Sequence, residues 1–203
     1  MEIVLGSKNK KKLYEMDLLL GPLGFTLRTL DEFPESVDVE ETGTTFQENA
    51  ALKATQQAKA IRRWVIGEDS GLSVQALDGR PGVYSARFAG EDGNDEANND
   101  KLLSELQDVP ESNRQAFYTS HIALSDPEGN VLIHCENYCH GMIGLERQGS
   151  AGFGYDPLFI IPEYNQTFAE LGDSIKSVLS HRARAIRMFA PKLMAVKNSL
   201  VQD

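Results

Sequence analysis

Trp64-Val65-Ile66 is a short apolar run that leads directly into Glu68-Asp69-Ser70-Gly71. An apolar strand ending on two carboxylates restricts the possible folds, because a buried strand must be covered by other elements while its charges still reach partners or water. The reading places the acidic pair at a strand end or bend, with extended structure resuming from Leu72 to Leu77. Carboxylates so held suit magnesium, which takes one or two of them together with waters and phosphate oxygens.

The flanking segments alternate between helix and strand. Ile3 to Leu5 reads as a strand, followed by a Gly6-Ser7 turn and a helix with Leu13, Met16 and Leu20 on one face, ended by Gly21-Pro22. Thr45 and Glu48 form a capping box ahead of a second helix that carries Phe46, Ala50, Ala54 and Ala58 and ends near Arg63. Ala97 to Leu106 reads as a third helix. Ala116 to Leu124 and Val131 to His140 then form a hairpin around Asp126-Pro127-Glu128-Gly129-Asn130. A last helical pattern runs from His181 to Val196, with a kink or break expected at Pro191. Helix–strand alternation followed by a hairpin predicts an α/β fold on a mixed sheet flanked by helices.

With 203 residues, 41% of them hydrophobic and 25% charged, the chain can bury a sizeable core, and residues 1–203 are expected to form a single domain. A net charge of -10 opposes a nucleic-acid polymer as partner, whereas a small anion can still bind where a few cations gather. No stretch approaches the roughly 18 apolar residues of a membrane span, and the N-terminus does not read as a signal peptide, so a cytoplasmic location is expected. His134, Cys135, Cys139 and His140 offer four zinc-type ligands within seven residues. Strand alternation puts the cysteines and the histidines on opposite faces, which argues against one shared ion.

Four segments carry chemistry. Ser7-Lys8-Asn9-Lys10-Lys11-Lys12 places a hydroxyl, backbone N–H groups and lysines at a helix start, either a phosphate cradle or a solvated basic turn. Glu40 and Glu41 join Glu68 and Asp69 as an acidic set, although Glu40-Glu41 alone would read as solvated surface. Gly149-Ser150-Ala151-Gly152-Phe153-Gly154-Tyr155-Asp156-Pro157 lets a backbone approach a ligand, brings two aromatics to a base, and offers Asp156 as an acceptor for a base edge. Lys176 and Ser180-His181-Arg182 supply further cations within one or two helical turns, or simply a helix start capped by Ser180.

In this order, Ser7-Lys8-Asn9-x-x-Lys12, Glu41-Thr42-Gly43-Thr44-Thr45-Phe46-Gln47-Glu48-Asn49-Ala50, Glu68-Asp69-Ser70-Gly71-Leu72, Gly79 to Arg87, Gly152 to Pro157 and Lys176-x-x-x-Ser180-His181-Arg182 resemble the inosine triphosphate pyrophosphatase family along nearly the whole chain. The resemblance implies a long mixed sheet in two lobes with a central cleft, a homodimer, and magnesium-dependent hydrolysis of dITP, ITP and XTP to monophosphate and diphosphate. By position, Ser7, Lys8, Asn9 and Lys12 correspond to the triphosphate loop, with Lys53 reaching in from the second helix. Glu41 and Asp69 correspond to metal ligands, Asp69 also to the general base, and Ser70 stands beside it. Phe153, Gly154, Tyr155, Asp156, Lys176, His181 and Arg182 correspond to base and phosphate contacts. Lys8, Glu68 and Ser150-Ala151 depart from the family's usual residues. Two competing readings are a nucleotide sensor without turnover, which the acidic set speaks against, and a hydrolase of modified pyrimidine triphosphates, which a substrate panel separates.

Overall fold

The computed structural model describes residues 1–202. Its strands are β1 (Glu2–Leu5), β2 (Thr26–Thr29), β3 (Val65–Val74), β4 (Gln115–Ser125), β5 (Val131–Ile143), β6 (Phe159–Ile161) and β7 (Gln166–Thr167). The α-helices are α1 (Lys10–Leu20), α2 (Phe46–Ile61), α3 (Asp95–Glu105), α4 (Phe168–Leu179) and α5 (His181–Gln202). The strands form one seven-stranded sheet in the order β2-β1-β3-β4-β5-β6-β7. β1 pairs parallel with both β2 and β3, whereas β6 pairs antiparallel with β5 and β7, so the sheet is mixed as expected.

The chain divides into two compact units. The first holds Met1–Asp69, Ser120–Asn137 and the helix from His181; the second holds Ser70–Thr119 and Tyr138–Ser180. Each has its own core. Ile3, Leu5, Met16, Leu20, Ile66, Ile122, Leu124, Ile186, Phe189 and Leu193 pack together in the first, so α1 and α5 cover one sheet face. In the second, Leu72, Val74, Leu102, Leu106, Tyr118, Phe159 and Phe168 converge, with the Phe159 and Phe168 rings stacked 5.5 Å apart.

The ends of α2 follow the sequence reading. Thr45 accepts from the Glu48 N–H while the Glu48 carboxylate accepts from the Thr45 N–H, and the helix stops at Arg62 in a left-handed conformation. The helix lies so close to β3 that a Cβ at Gly67 would fall 2.0 Å from the Ala50 carbonyl oxygen. Only glycine fits there.

Three expectations change. β3 runs unbroken from Val65 to Val74, so Glu68 and Asp69 lie inside a buried strand and not at its end. Cations from three helices neutralise the pair, which removes the reason for the strand to stop. α5 continues through Pro191, because Phe189, Ala190 and Leu193 on both sides of the proline are locked into the same core. Lys176 and Arg182 do not share a helical cluster: Ser180, with ψ 156°, ends α4, which leaves Lys176 in the second unit and Arg182 in the first.

Candidate active site

Strand alternation sends the neighbours Glu68 and Asp69 to opposite faces of β3. Glu68 turns toward α1 and α5. Its Oε1 accepts from Ser120 at 3.0 Å and from Arg182 at 3.1 Å, while Lys12 Nζ stands 2.8 Å from Oε2. Arg182 is itself 2% exposed and also ion-paired with Glu15. Burial alone would push the Glu68 carboxyl up, but Arg182 and then Lys12 outweigh it and hold it well below the usual carboxylate range. This carboxylate is a fixed anion.

Asp69 turns toward α2, where Asn49 and Lys53 stand one helical turn apart. Lys53 Nζ lies 2.8 Å from Asp69 Oδ1 and 3.0 Å from Glu41 Oε1, and it donates to the Glu68 carbonyl at 3.3 Å. One ammonium therefore draws together the two carboxylates assigned to metal binding. Burial pushes the Asp69 carboxyl up, Lys53 opposes this, and the charge of Glu41 adds to the rise, leaving Asp69 above its ordinary value. For Lys53, burial works downward, but Asp69 and Glu41 prevail and raise it.

Asn49 is fully buried and uses both ends of its amide. Its Nδ2 donates to Asp69 Oδ2 at 3.3 Å, and its Oδ1 accepts from the Gly43 N–H at 2.8 Å, fixing the loop that carries Glu41. A Cβ at Gly43 would fall 2.5 Å from that same oxygen. Sequence reading missed Asn49, Glu15 and Ser120. The first two had a signal: Asn49 precedes Lys53 by four residues and Glu15 follows Lys12 by three, spacings that share a helix face.

At the start of α1, Asn9 Oδ1 accepts from the N–H groups of Lys11 and Lys12 at 3.0 and 3.1 Å, and Ser7 Oγ accepts from the Asn9 N–H at 3.1 Å. The turn is built by its own side chains. Lys8 and Asn9 are exposed and Ser7 is half-buried, so this face is open to an anion. His181 is buried in the first unit and adds to the positive field that lowers Glu68.

The second unit contains a separate polar cluster. Asp156, 2% exposed, accepts from Lys176 Nζ at 2.6 Å and from the Phe153 N–H at 2.9 Å, both on Oδ2. Lys176 Nζ also lies 4.1 Å from the centre of the Phe153 ring, a cation–π distance. A Cβ at Gly152, where φ is +79°, would strike Asp156 Oδ2 at 2.1 Å. The Gly154 N–H donates to Asp95 Oδ2 at 2.8 Å, and the Asn99 amide donates to the Gly154 carbonyl at 2.9 Å, which secures the loop to α3. Phe153 and Gly154 are half-buried. Tyr155 is not: it is 4% exposed, and its hydroxyl donates to the Ser85 carbonyl at 2.8 Å, so it supports the loop from the core. Ser70 begins this unit and is half-buried.

The four-residue zinc grouping does not form: Cys135 packs in the first core and Cys139 in the second, both as free thiols. Among the described residues, no three His, Cys, Asp or Glu side chains are grouped to hold an ion, and no helix is long and apolar enough to cross a membrane.

Known proteins match this chain over almost its whole length. A dITP/XTP pyrophosphatase of Rhodopirellula baltica is 54% identical over 198 residues, covering 98% of this chain and 95% of that protein. One from Desulforamulus reducens is 46% identical, covering 98% and 97%. Among solved structures, a HAM1 protein from Coxiella burnetii superimposes with a TM-score of 0.86 at 39% identity, covering 96% of this chain and 99% of its own. The Ham1 family profile matches residues 3–192, a span that includes the Lys53 carboxylate site, the Glu68 network and the Asp156–Lys176 cluster, and the chain belongs to the Ham1 family.

Proposed function

We propose that this protein hydrolyses the non-standard purine nucleotides dITP, ITP and XTP to monophosphate and diphosphate, clearing them from the nucleotide pool before they enter DNA and RNA. The observation that carries this reading is the 54% identity, over almost the full length of both chains, to a protein named dITP/XTP pyrophosphatase. The convergence of Glu41, Lys53 and Asp69 supplies the chemistry.

The donor set fits magnesium. Glu41 and Asp69 are both drawn to the Lys53 ammonium and so stand near enough to share a divalent cation beside it, which would relieve the repulsion by which the charge of Glu41 disfavours ionised Asp69. Bound there, magnesium would neutralise phosphate charge and acidify a coordinated water. The chain's own groups do the rest. Ser7, Lys8, Asn9 and Lys12 receive the triphosphate, with Lys12 held by its ion pair with Glu68. Asp69 takes a proton from the attacking water as the water oxygen bonds to the α-phosphorus and diphosphate leaves. Asn49 orients that carboxylate through its second oxygen.

In the second unit, the half-buried Phe153 ring offers a stacking face for a purine. Lys176, already fixed by Asp156, offers a donor for the oxygen at the purine 6-position. Adenine carries an amino group there and would leave that donor unpaired. Arg182, held by Glu68 and Glu15, shapes the first site as the partner of Glu68.

Diphosphate release from ITP, dITP, XTP, GTP, ATP and dUTP, with and without magnesium, tests this for the wild type and Asp69→Asn. Magnesium-dependent cleavage of the first three, lost in the variant, is expected. Equal cleavage of ATP, or a fully active variant, would refute the specificity or the mechanism respectively.

A further inference from the structure

The hairpin of β4 and β5 carries a cluster that takes no part in the proposed hydrolysis. His134, which sequence spacing groups with two cysteines, instead meets His121 from the neighbouring strand. His121 Nε2 lies 3.1 Å from His134 Nδ1, and the ring centres are 5.3 Å apart at 62°. The other nitrogen of His121, Nδ1, lies 3.4 Å from Glu136 Oε2. All three side chains belong to the first unit.

A carboxylate only accepts, so with His121 neutral Glu136 favours the ring proton on Nδ1, and the Nε2 lone pair accepts from His134 Nδ1–H; a metal ion would replace that proton, which His134 can carry on Nε2 instead. A carboxylate on the far nitrogen of an imidazole is the arrangement that orients histidine ligands in metal sites. Two imidazole nitrogens on one tetrahedral zinc ion, each about 2.0–2.1 Å from it, stand about 3.3 Å apart. The observed 3.1 Å is a few tenths of an ångström from that geometry. His121 is 4% exposed, whereas His134 is exposed, which leaves room for water to complete a coordination shell.

We propose that His121 Nε2 and His134 Nδ1 form a two-imidazole site for a zinc-type divalent ion, with Glu136 orienting His121 and water filling the remaining positions. The site shares no residue with the Glu41–Asp69 pair, and its imidazole nitrogens select a softer ion than the carboxylates do.

Zinc chloride titration of the full-length, chelator-stripped protein against a chromophoric competitor, without nucleotide, tests the site. One zinc per chain is expected. His134→Ala, at an exposed position that leaves the core intact, should weaken zinc at least tenfold, and Glu136→Gln about tenfold. A Glu41→Gln/Asp69→Asn double variant should retain zinc, and the visible bands of bound cobalt should disappear in His134→Ala. Equal zinc affinity in the wild type and His134→Ala, or zinc lost from the double variant and kept by His134→Ala, would overturn the proposal. The test involves no turnover, so its failure leaves the pyrophosphatase reading untouched.

Discussion

Replacing Glu68 by Gln removes one charge and keeps the side-chain shape. In the wild type, Arg182 and Lys12 lie 3.1 and 2.8 Å from the carboxylate. At an effective dielectric constant of about 20, each contact is a gross attraction of about 5 kcal/mol. Burial opposes this by several kcal/mol per ion, and breaking one side of such a pair leaves a net loss of about 3–5 kcal/mol. For a chain of this length, that lowers the melting temperature by roughly 6–20 °C. Ser120→Ala is the control. It removes a single hydroxyl donor to the same carboxylate, about 1 kcal/mol or roughly 2–4 °C. The pH dependence has a definite sign. Glu68 is held well below 4.5 in the folded state, so its contribution is complete above about pH 4.5 and is lost as pH falls toward the folded value. The wild-type and Glu68→Gln melting curves should therefore converge on acidification below pH 4.5. A Gln variant that melts no lower than Ser120→Ala at neutral pH, or a gap that widens in acid, would refute the network as a source of stability.

Lys176→Met removes the ammonium partner of the buried Asp156 carboxylate and should cost about 3–5 kcal/mol in urea unfolding; a loss under 1 kcal/mol would show that Asp156 does not depend on this partner. Asn49→Leu frees Asp69 Oδ2 and the Gly43 N–H, and should lower ITP turnover about 100-fold through misplacement of the base; unchanged turnover would remove Asn49 from the site. In the magnesium-free protein, the Asp69 carboxyl should titrate by NMR with a midpoint above 3.8; a midpoint at or below that value would mean that burial and Glu41 do not outweigh Lys53.

Much of the fold is legible because local chemistry and tertiary packing agree. The Thr45–Glu48 capping box, the helical spacing of Leu13, Met16 and Leu20, and the Asp126–Asn130 turn each predict an element that the structure contains. β6 and β7, with three and two residues, are too short to leave a period in the sequence. Pro191 reads as a kink or break because the rule concerns an isolated helix; the break does not occur, since the α5 core contacts lie on both sides of it. At the site, residue types were legible and partnerships were not. Glycines show the difference: Gly67 passes without comment in the sequence and Gly152 reads as room for a ligand, yet one admits α2 to β3 and the other admits a carboxylate to the backbone.

The adjacent carboxylates show why partnership decides chemistry. Glu68 and Asp69 have nearly the same intrinsic acidity and follow one another on one buried strand, so intrinsic acidity cannot give them different roles. Alternation gives Glu68 two cations and a hydroxyl, and gives Asp69 one cation shared with a second carboxylate. The first environment fixes a charge against protonation; the second leaves a carboxylate poised to accept a proton and, with Glu41, short of positive charge. A one-residue register shift in β3 would exchange the two faces and place the fixed anion where the base is required. The close approach of α2 at Gly67, on the same face as Asp69, prevents that shift, because no other residue of β3 from Val65 to Asp69 lacks a Cβ. The packing that holds α2 against the sheet is therefore also what would give Asp69 the proton-accepting role proposed for it.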